Sequence, residues 1–569
     1  MSVSDTRPPR TMADAVPGQY SPVDDATATS WRDAGCWEDR TVRSLLADAA
    51  AQAPDRIALI GRRSNSTRVT RTYAEFDRNA SHAAGVFAAL GIGPGDSVAV
   101  MLPNWIEYAE IIFGINEIGA VYTGIPVAYG ESQAAAILRR SAATVLVIPR
   151  RWRSTDHLAL ARSIRSSVPS IVHLVVVGET VDAVDLGPSE CSWATAESVP
   201  PARVDAQADR LCYLGFTSGT TGEPKGAMHT HDTLVYSARR QLEHVGAGNW
   251  GDPLIQLVAS PIGHHTGFEW GVLFTVMAMG TAVHVDRWDP EWGSSVIREE
   301  GVTCFFGAPT FLQDLLNTTL VGDPSCPLRC VVVAGSPVPR GLAEHARTEL
   351  GAYIAPAWGM TECSIVTSAT PKESDDILRT DGSVFAGSAV DIVDGSGVSV
   401  PVGTVGDLLV RGPGVTLGYF DRPDATEQAF ADGLWFRSGD RAAVDASGWL
   451  SLHGRTKDIV IRGGENIPVT DIESAVCDHP DVMSAAVVGV PDERLGERVC
   501  AVLVMREGVT APTVPELADF LSDRGLSRHW LPERVEMISA MPMTPSGKIQ
   551  KNVLREKIQR ELTMSIGET

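Results

Sequence analysis

The chain has 569 residues and a formal charge of −22, from 70 acidic and 48 basic side chains. With 44% hydrophobic and 21% charged residues it has the make-up of a folded globular protein, which excludes wholesale disorder. The acidity excludes a general binder of nucleic acid or anionic membrane unless the few bases cluster, and the densest group, Arg150, Arg151 and Arg153, reads as a solvated loop end.

Residues 1–38 read as a flexible leader, rich in Pro, Ser, Asp and Thr at its start and without the apolar stretch of a secretory signal. Short Val/Ile/Leu runs at 98–102, 145–149, 172–177, 254–258 and 330–335 predict buried strands. Helical stretches over 72–90 and 339–351 accompany them, so the pattern implies an α/β fold with largely parallel sheets. The most apolar stretch, 270–285, is too short and too glycine-interrupted for a membrane span and predicts a buried core helix.

After about residue 385 the texture turns to glycine-punctuated segments, which predict a small β unit. From Ile472 a helix, strands over 484–490 and 499–505, a helix over 516–525 and a terminal helix after Lys548 predict a compact α+β unit. The division expected is a large domain over 39–456 and a small mobile C-terminal domain over 457–569, with the boundary near Gly454–Asp458. Nine scattered cysteines without a C-x-x-C pair fit neither a disulfide framework nor a structural zinc site. Reduced thiols in a cytoplasmic protein are expected instead, and homodimerisation is left open.

The strongest chemical signal is LGFTSGTTGEPKGAMHTH at 214–231. Thr217, Ser218, Thr220 and Thr221 supply hydroxyls, Gly219, Gly222 and Gly226 let backbone N–H groups approach an anion, and Lys225 adds a positive charge. Such a loop can hold a polyphosphate. It is not a Walker A loop, because Lys225 stands three residues after Gly222 and is followed by Gly226. A plain Gly/Ser/Thr linker needs no Pro-Lys-Gly ending after a strand-like YLGF.

This segment resembles the phosphate loop of the adenylate-forming superfamily: acyl-CoA synthetases, peptide-synthetase adenylation domains and beetle luciferases. Six further segments resemble that family's motifs in order. They are Pro261 to Gly267 (P-x-x-H-x-x-G), Ala334-Gly335-Ser336-Pro337, Trp358-Gly359-Met360-Thr361-Glu362, Ser438-Gly439-Asp440, Gly454-Arg455-Thr456-Lys457-Asp458, and Pro545-Ser546-Gly547-Lys548. The resemblance runs from about Asp39 to Lys557, and the texture of LPNWIEYAE and IVIRGGENIPVTDIE is most similar to cyclohexanecarboxylate–CoA and medium-chain acyl-CoA ligases.

The resemblance implies ATP-dependent activation of a carboxylic acid as an acyl-adenylate, followed by transfer to coenzyme A. It implies that Gly335, Ser336, Pro337, Trp358, Gly359 and Met360 wall the adenine site, with Trp358 in place of the usual Tyr and so without its hydroxyl. Thr361 would meet the α-phosphate, Glu362 would hold Mg²⁺, and Asp440 with Arg455 would take the ribose. Lys548 would stabilise the charge that builds between acid and α-phosphate. His264 would stand at the mouth of the acid pocket, with Phe268, Trp270, Gly307, Gly335 and Met360 as lining. Lys457 would be the hinge of a domain rotation, and Gly463 and Gly464 would line the pantetheine tunnel. Glu269 is an awkward neighbour for a carboxylate substrate, so the expectation is that it points away or pairs elsewhere.

A carrier protein acting in trans is an alternative acceptor, since coenzyme A and a carrier present the same thiol arm. An oxidase of the luciferase type and a catalytically dead binding protein are the remaining alternatives, and nothing in the residues demands either.

Overall fold

The computed structural model describes residues 23–567 apart from 179–185, 202–206, 218–222, 247, 249, 251–252, 456–459, 463–464, 468, 493 and 545. The five apolar runs are strands: Ser97–Val100, Val145–Pro149, His173–Val177, Ile255–Val258 and Cys330–Val333. Their uninterrupted apolar content suits strands covered on both faces, the usual setting of parallel sheets.

Among the described residues they belong to two large sheets. One runs Lys225–Thr230, Leu211–Thr217, Val121–Gly124, Ser97–Val100, Val145–Pro149, His173–Val177, Glu190–Ser192 from edge to edge. It is parallel except for the outer hairpin made by its first two strands. The other has a parallel centre, Tyr353–Met360, Cys330–Val333, Cys304–Gly307, Ile255–Val258, Thr281–Val285, Ile57–Arg62, with antiparallel edges. Tyr73–Ala89, opened by a Thr72–Glu75 capping box, packs with Ile106–Glu117 in one apolar cluster. That cluster takes Val98 and Val100 from the first sheet and Leu59 and Val258 from the second, which joins the two sheets.

The 270–285 stretch is not a single helix. A π-helix Thr266–Leu273 and the short helix Phe274–Met277 end before Met279, and Thr281–Val285 is a buried strand. Its Thr and Val residues suit a strand. The turn into it brings Gly280 so close that a Cβ there would lie 2.6 Å from the Leu254 carbonyl oxygen.

The leader is structured from Val23 onward rather than flexible up to residue 38. Asp24 caps the helix Asp25–Asp33, Arg32 pairs with buried Asp232 at 3.1 Å, and the Trp37 indole donates to the Pro413 carbonyl at 3.1 Å. Residues 1–22 lie outside the described residues.

The β unit after 385 is an antiparallel sheet of Ala389–Val393, Gly406–Arg411, Phe430–Ala431, Trp435–Val444 and Leu450–Arg455. The C-terminal unit sets Val469–Cys477, Val514–Asp523 and Lys551–Gly567 around a sheet whose central strand, Gly496–Met505, forms a hairpin with the edge strand Val482–Asp492. Polar contacts among the described residues tie this unit to the rest. Thr310 Oγ1 donates to the Gly547 carbonyl at 3.0 Å, the Arg340 N–H donates to Ser474 Oγ at 3.0 Å, and His453 Nδ1 lies 3.3 Å from Asp471 Oδ2. The nine cysteines are all free thiols. Among the described residues no helix is long and apolar enough to cross a membrane.

Candidate active site

The Gly/Ser/Thr-rich segment connects two hydrogen-bonded strands, Leu211–Thr217 and Lys225–Thr230, with Thr217 directly opposite Lys225. Ser218 to Gly222, which carry most of its hydroxyls, lie outside the described residues. Both ends of the loop lead to one glutamate. Thr217 Oγ1 donates to Glu362 Oε1 at 3.4 Å, and the Tyr419 hydroxyl donates to the same oxygen at 3.0 Å. Lys225 Nζ sits 5.0 Å from the centre of the Tyr419 ring, within cation–π range. Glu362 is 4% exposed, and its Oε2 has no hydrogen-bond partner among the described residues.

Thr361 is held beside Glu362 from two directions. Gly215 lets the first strand approach, since a Cβ there would lie 2.4 Å from Thr361 Cγ2. His229 Nε2 meets the Thr361 carbonyl at 2.7 Å; a carbonyl can only accept, so that nitrogen carries the proton. Burial pushes the His229 pKa down to about 3, which keeps the ring neutral.

Trp358 and Asp440 come from different sheets and meet in the interior. The indole N–H donates to Asp440 Oδ2 at 2.9 Å, while Arg455 Nε donates to Asp440 Oδ1 at 3.0 Å across the hairpin that pairs residues 440 and 455. Trp358 is 4% exposed, packed in the core of the β unit with Cys363, Val366 and Ile392. The indole is mostly covered and serves Asp440 as a donor. Each carboxylate oxygen keeps a second acceptor site, so Asp440 can still receive two hydroxyls.

Lys548 enters this group from the C-terminal unit. A Cβ built on Gly335, which has φ +92°, would lie 3.6 Å from Lys548 Cε, an ordinary contact distance that places the two residues side by side. Burial lowers the Lys548 pKa to about 8, helped by the charge of Arg455 and opposed by Asp440 and Glu362. His264 lies close enough to feel that charge. Burial first, then Lys548 and His265, hold it at about 3, and its Nδ1 is 3.2 Å from Thr266 Oγ1.

The predicted pocket side chains do not form one surface. Phe268 packs on Tyr122 and Tyr213, whereas Trp270 packs on Phe306 and His265, in two separate apolar clusters. Glu269 lies between them, fully buried, with Oε2 at 2.6 Å from His265 Nε2. Its partner is the neighbouring imidazole, as the awkward fit to a carboxylate substrate foretold. Gly307 abuts the Phe305 ring and Met360 is partly buried beside the β-unit core. Ser336, Pro337 and Gly359 follow Gly335 and Trp358 on the same strand ends. Lys457, Gly463 and Gly464 lie outside the described residues.

Sequence reading missed Tyr419, His229, His265 and Tyr213. The last three are stacked rings, with His265 5.6 Å and His229 6.0 Å from Tyr213. Tyr419 reaches Glu362 from 57 residues away in the chain, so no local spacing could pair them. His229 had a weak signal: it follows the loop on the same strand with an inward-facing position.

A Gly/Ser/Thr-rich segment between two paired strands, with a lysine from the C-terminal unit set beside Gly335, is an arrangement that fits an adenylate-forming ligase. The chain belongs to the AMP-binding enzyme family. That family's model matches residues 46–420, and the model of the AMP-binding enzyme C-terminal domain matches 471–548. The chain is 31% identical over 544 residues to a medium-chain fatty-acid–CoA ligase of Escherichia coli (strain K12), covering 95% of this chain and 94% of the relative. It is 32% identical over 557 residues to a salicyl-AMP ligase / salicyl-S-ArCP synthetase of Mycobacterium tuberculosis, covering 97% and 96%. Among solved structures it resembles ATP-bound MatB from Rhodopseudomonas palustris, with a TM-score of 0.78, 26% identity, and coverage of 91% of this chain and 99% of that one. The protein is therefore an ATP-dependent, AMP-forming acid ligase.

Proposed function

We propose that the protein is an acid–thiol ligase that joins a carboxylic acid to coenzyme A in two steps. In the first, a carboxylate oxygen attacks the α-phosphorus of ATP and pyrophosphate leaves; in the second, the thiol sulfur attacks the acyl carbon and AMP leaves. The observation that carries this reading is Lys548, brought by the C-terminal unit beside Gly335 and within the electrostatic reach of Asp440 and Glu362. An ammonium fixed there stabilises negative charge as it develops between two anions.

The hairpin from Thr217 through Ser218, Gly219, Thr220, Thr221 and Gly222 to Lys225 holds the polyphosphate in this reading. Asp440 and Arg455 take the ribose, with Trp358 steadying Asp440, and Thr361 meets the α-phosphate. Gly335, Ser336, Pro337, Gly359 and Met360 border the adenine, and His264 marks the entrance for the acid. The buried, unpartnered Oε2 of Glu362 fits a hard cation, and Mg²⁺ there would offset phosphate charge. Lys457 acts as the hinge between domains 39–456 and 457–569, and Gly463 and Gly464 border the thiol arm. Free thiols throughout suit a cytoplasmic setting.

A second acceptor is supported by kinship: one relative's printed name is that of a synthetase acting on an ArCP, at an identity equal to that of the CoA ligases. The test is pyrophosphate release across linear, branched, alicyclic and aromatic acids, with the product followed by mass. Coenzyme A is expected to convert a single turnover into steady acyl-CoA formation. Pyrophosphate release with transfer only to a carrier protein would overturn the coenzyme A reading while leaving adenylation intact.

A further inference from the structure

The loop that carries Lys548 is tied to the large domain by a side chain that the reading above leaves without a task. Thr310 stands in the first turn of the helix Pro309–Leu315, and its hydroxyl donates to the carbonyl of Gly547 at 3.0 Å. Gly547 adopts φ +80°, and a Cβ there would lie 2.8 Å from Thr310 Oγ1 and 3.1 Å from the Phe311 ring. The residue preceding the lysine is thus confined to glycine by the helix that also supplies the hydrogen bond.

The far side of the loop closes on itself. The Thr544 N–H donates to the Lys548 carbonyl at 2.7 Å, the Gly547 N–H to the Thr544 carbonyl at 2.9 Å, and the Lys548 N–H to Thr544 Oγ1 at 3.0 Å. This small hairpin fixes the shape of the loop within its own domain. It does not fix where the loop sits relative to Gly335, Asp440 and Glu362. The Thr310 bond does, because it crosses from one domain to the other one residue before the reacting ammonium.

We propose that Thr310 is a positioning residue: through the Gly547 carbonyl it seats Lys548 for adenylation, and its bond is broken when the C-terminal domain leaves this pose. The proposal rests on the role given above to Lys548. It separates the two half-reactions, since a bond made only in the adenylation pose contributes to the first and not to the second. A net hydrogen-bond contribution of the usual size corresponds to about fivefold to tenfold in rate.

The experiment uses the full-length enzyme with ATP and whichever of octanoate, cyclohexanecarboxylate, benzoate or salicylate supports pyrophosphate release. Thr310→Val, which keeps the shape and removes the hydroxyl, is expected to lower kcat for pyrophosphate release about fivefold to tenfold. The KM for the acid and the rate of thioester formation from supplied acyl-adenylate are expected to stay unchanged, and Thr310→Ser to restore most of the loss. In a Lys548→Ala background the valine substitution is expected to add no further loss, because its effect passes through the lysine. Equal loss in both half-reactions, a raised acid KM with unchanged kcat, or an additive loss in the double variant would overturn the proposal. Full pyrophosphate release by Lys548→Ala alone would instead overturn the reading of the lysine. Loss in Lys548→Ala with none in Thr310→Val would remove the role of Thr310 alone.

Discussion

The two halves of the cleft are built from different kinds of side chain, carboxylates held at strand ends on one side and packed rings on the other. The nucleotide side keeps acceptors in reserve: Glu362 has an oxygen without a hydrogen-bond partner among the described residues, and Asp440 uses one acceptor site on each oxygen. The segment around Glu269 is built of packed rings, Tyr122 stacked on Tyr213 at 5.4 Å and Tyr213 on His265 at 5.6 Å, and there His265 Nδ1, Trp270 Nε1 and Glu269 Oε1 are buried without a hydrogen-bond partner among the described residues. A nucleotide that is always the same can be met by short motifs at strand ends. An acid that differs from one relative to the next is met by side chains whose arrangement depends on packing.

The largest expected effect falls on the residue that bridges the halves. Lys548→Ala should lower acyl-adenylate formation about 10²–10³-fold, the usual cost of one preorganised charge contact. Thioester formation from supplied acyl-adenylate should be largely spared, as single-turnover measurement of each half-reaction would show. A variant that slows both steps alike would mean that the lysine is structural and that the contrast between the halves has no catalytic pivot.

The contrast itself is tested on the nucleotide side by Asp440→Ala. Its removal strands the Trp358 indole N–H and takes away one carboxylate partner of Arg455, so the KM for ATP should rise about 10–100-fold while the KM for the acid stays level. A rise in acid KM with ATP unaffected would show that the β unit serves the acid.

The same division explains what could be read from the chain. The parallel strands were legible because five short apolar runs rich in Val and Ile alternate with helical stretches, and the seven motifs because each is contiguous. Thr281–Val285 was misread as helix because periodicity alone does not separate a short apolar strand from a buried helix. The leader looked polar overall, yet Asp24 caps its own helix, and Arg32 and Trp37 each find a specific partner on the large domain. Tyr419, His229 and His265 were hidden because their roles exist only once distant strands meet. The contact of Trp358 with Asp440 was not legible, because the two residues stand on different sheets.

Titration sharpens the picture further. Lys548 has a pKa near 8 and must carry its proton to act, so kcat/KM for adenylation should be flat below pH 8 and fall about tenfold by pH 9. The ATP phosphates favour the ammonium, so the break in kcat should lie at higher pH than the break in kcat/KM. Stability should move the opposite way. Between about 8 and the ordinary 10.5 the unfolded chain holds a proton at this lysine that the folded chain has lost, so this group makes the fold more stable as pH rises. A pH–rate profile that falls on the acid side alone would assign the dominant titration to another group.

The smallest kinetic effect is expected where the acid side is most closed. Glu269 lies in the π-helix Thr266–Leu273, fully buried, 2.6 Å from an imidazole nitrogen that is also 3.1 Å from Ser364 Oγ. Glu269→Gln keeps the shape and removes the charge, so it should cost about 1–3 kcal/mol of stability through the weakened contact with His265. Thermal unfolding would register that loss. The KM for ATP should be unchanged, because the chain that positions Thr361, Glu362 and Asp440 runs through His229, Tyr419 and Trp358 rather than through Glu269. The stacked rings Tyr213, His229 and His265 form a physical connection between the sides, with His229 and His265 5.4 Å apart. A shift in ATP KM in Glu269→Gln would show that this column transmits the state of the acid pocket to Thr361, and the two halves would then have to be treated as one coupled site.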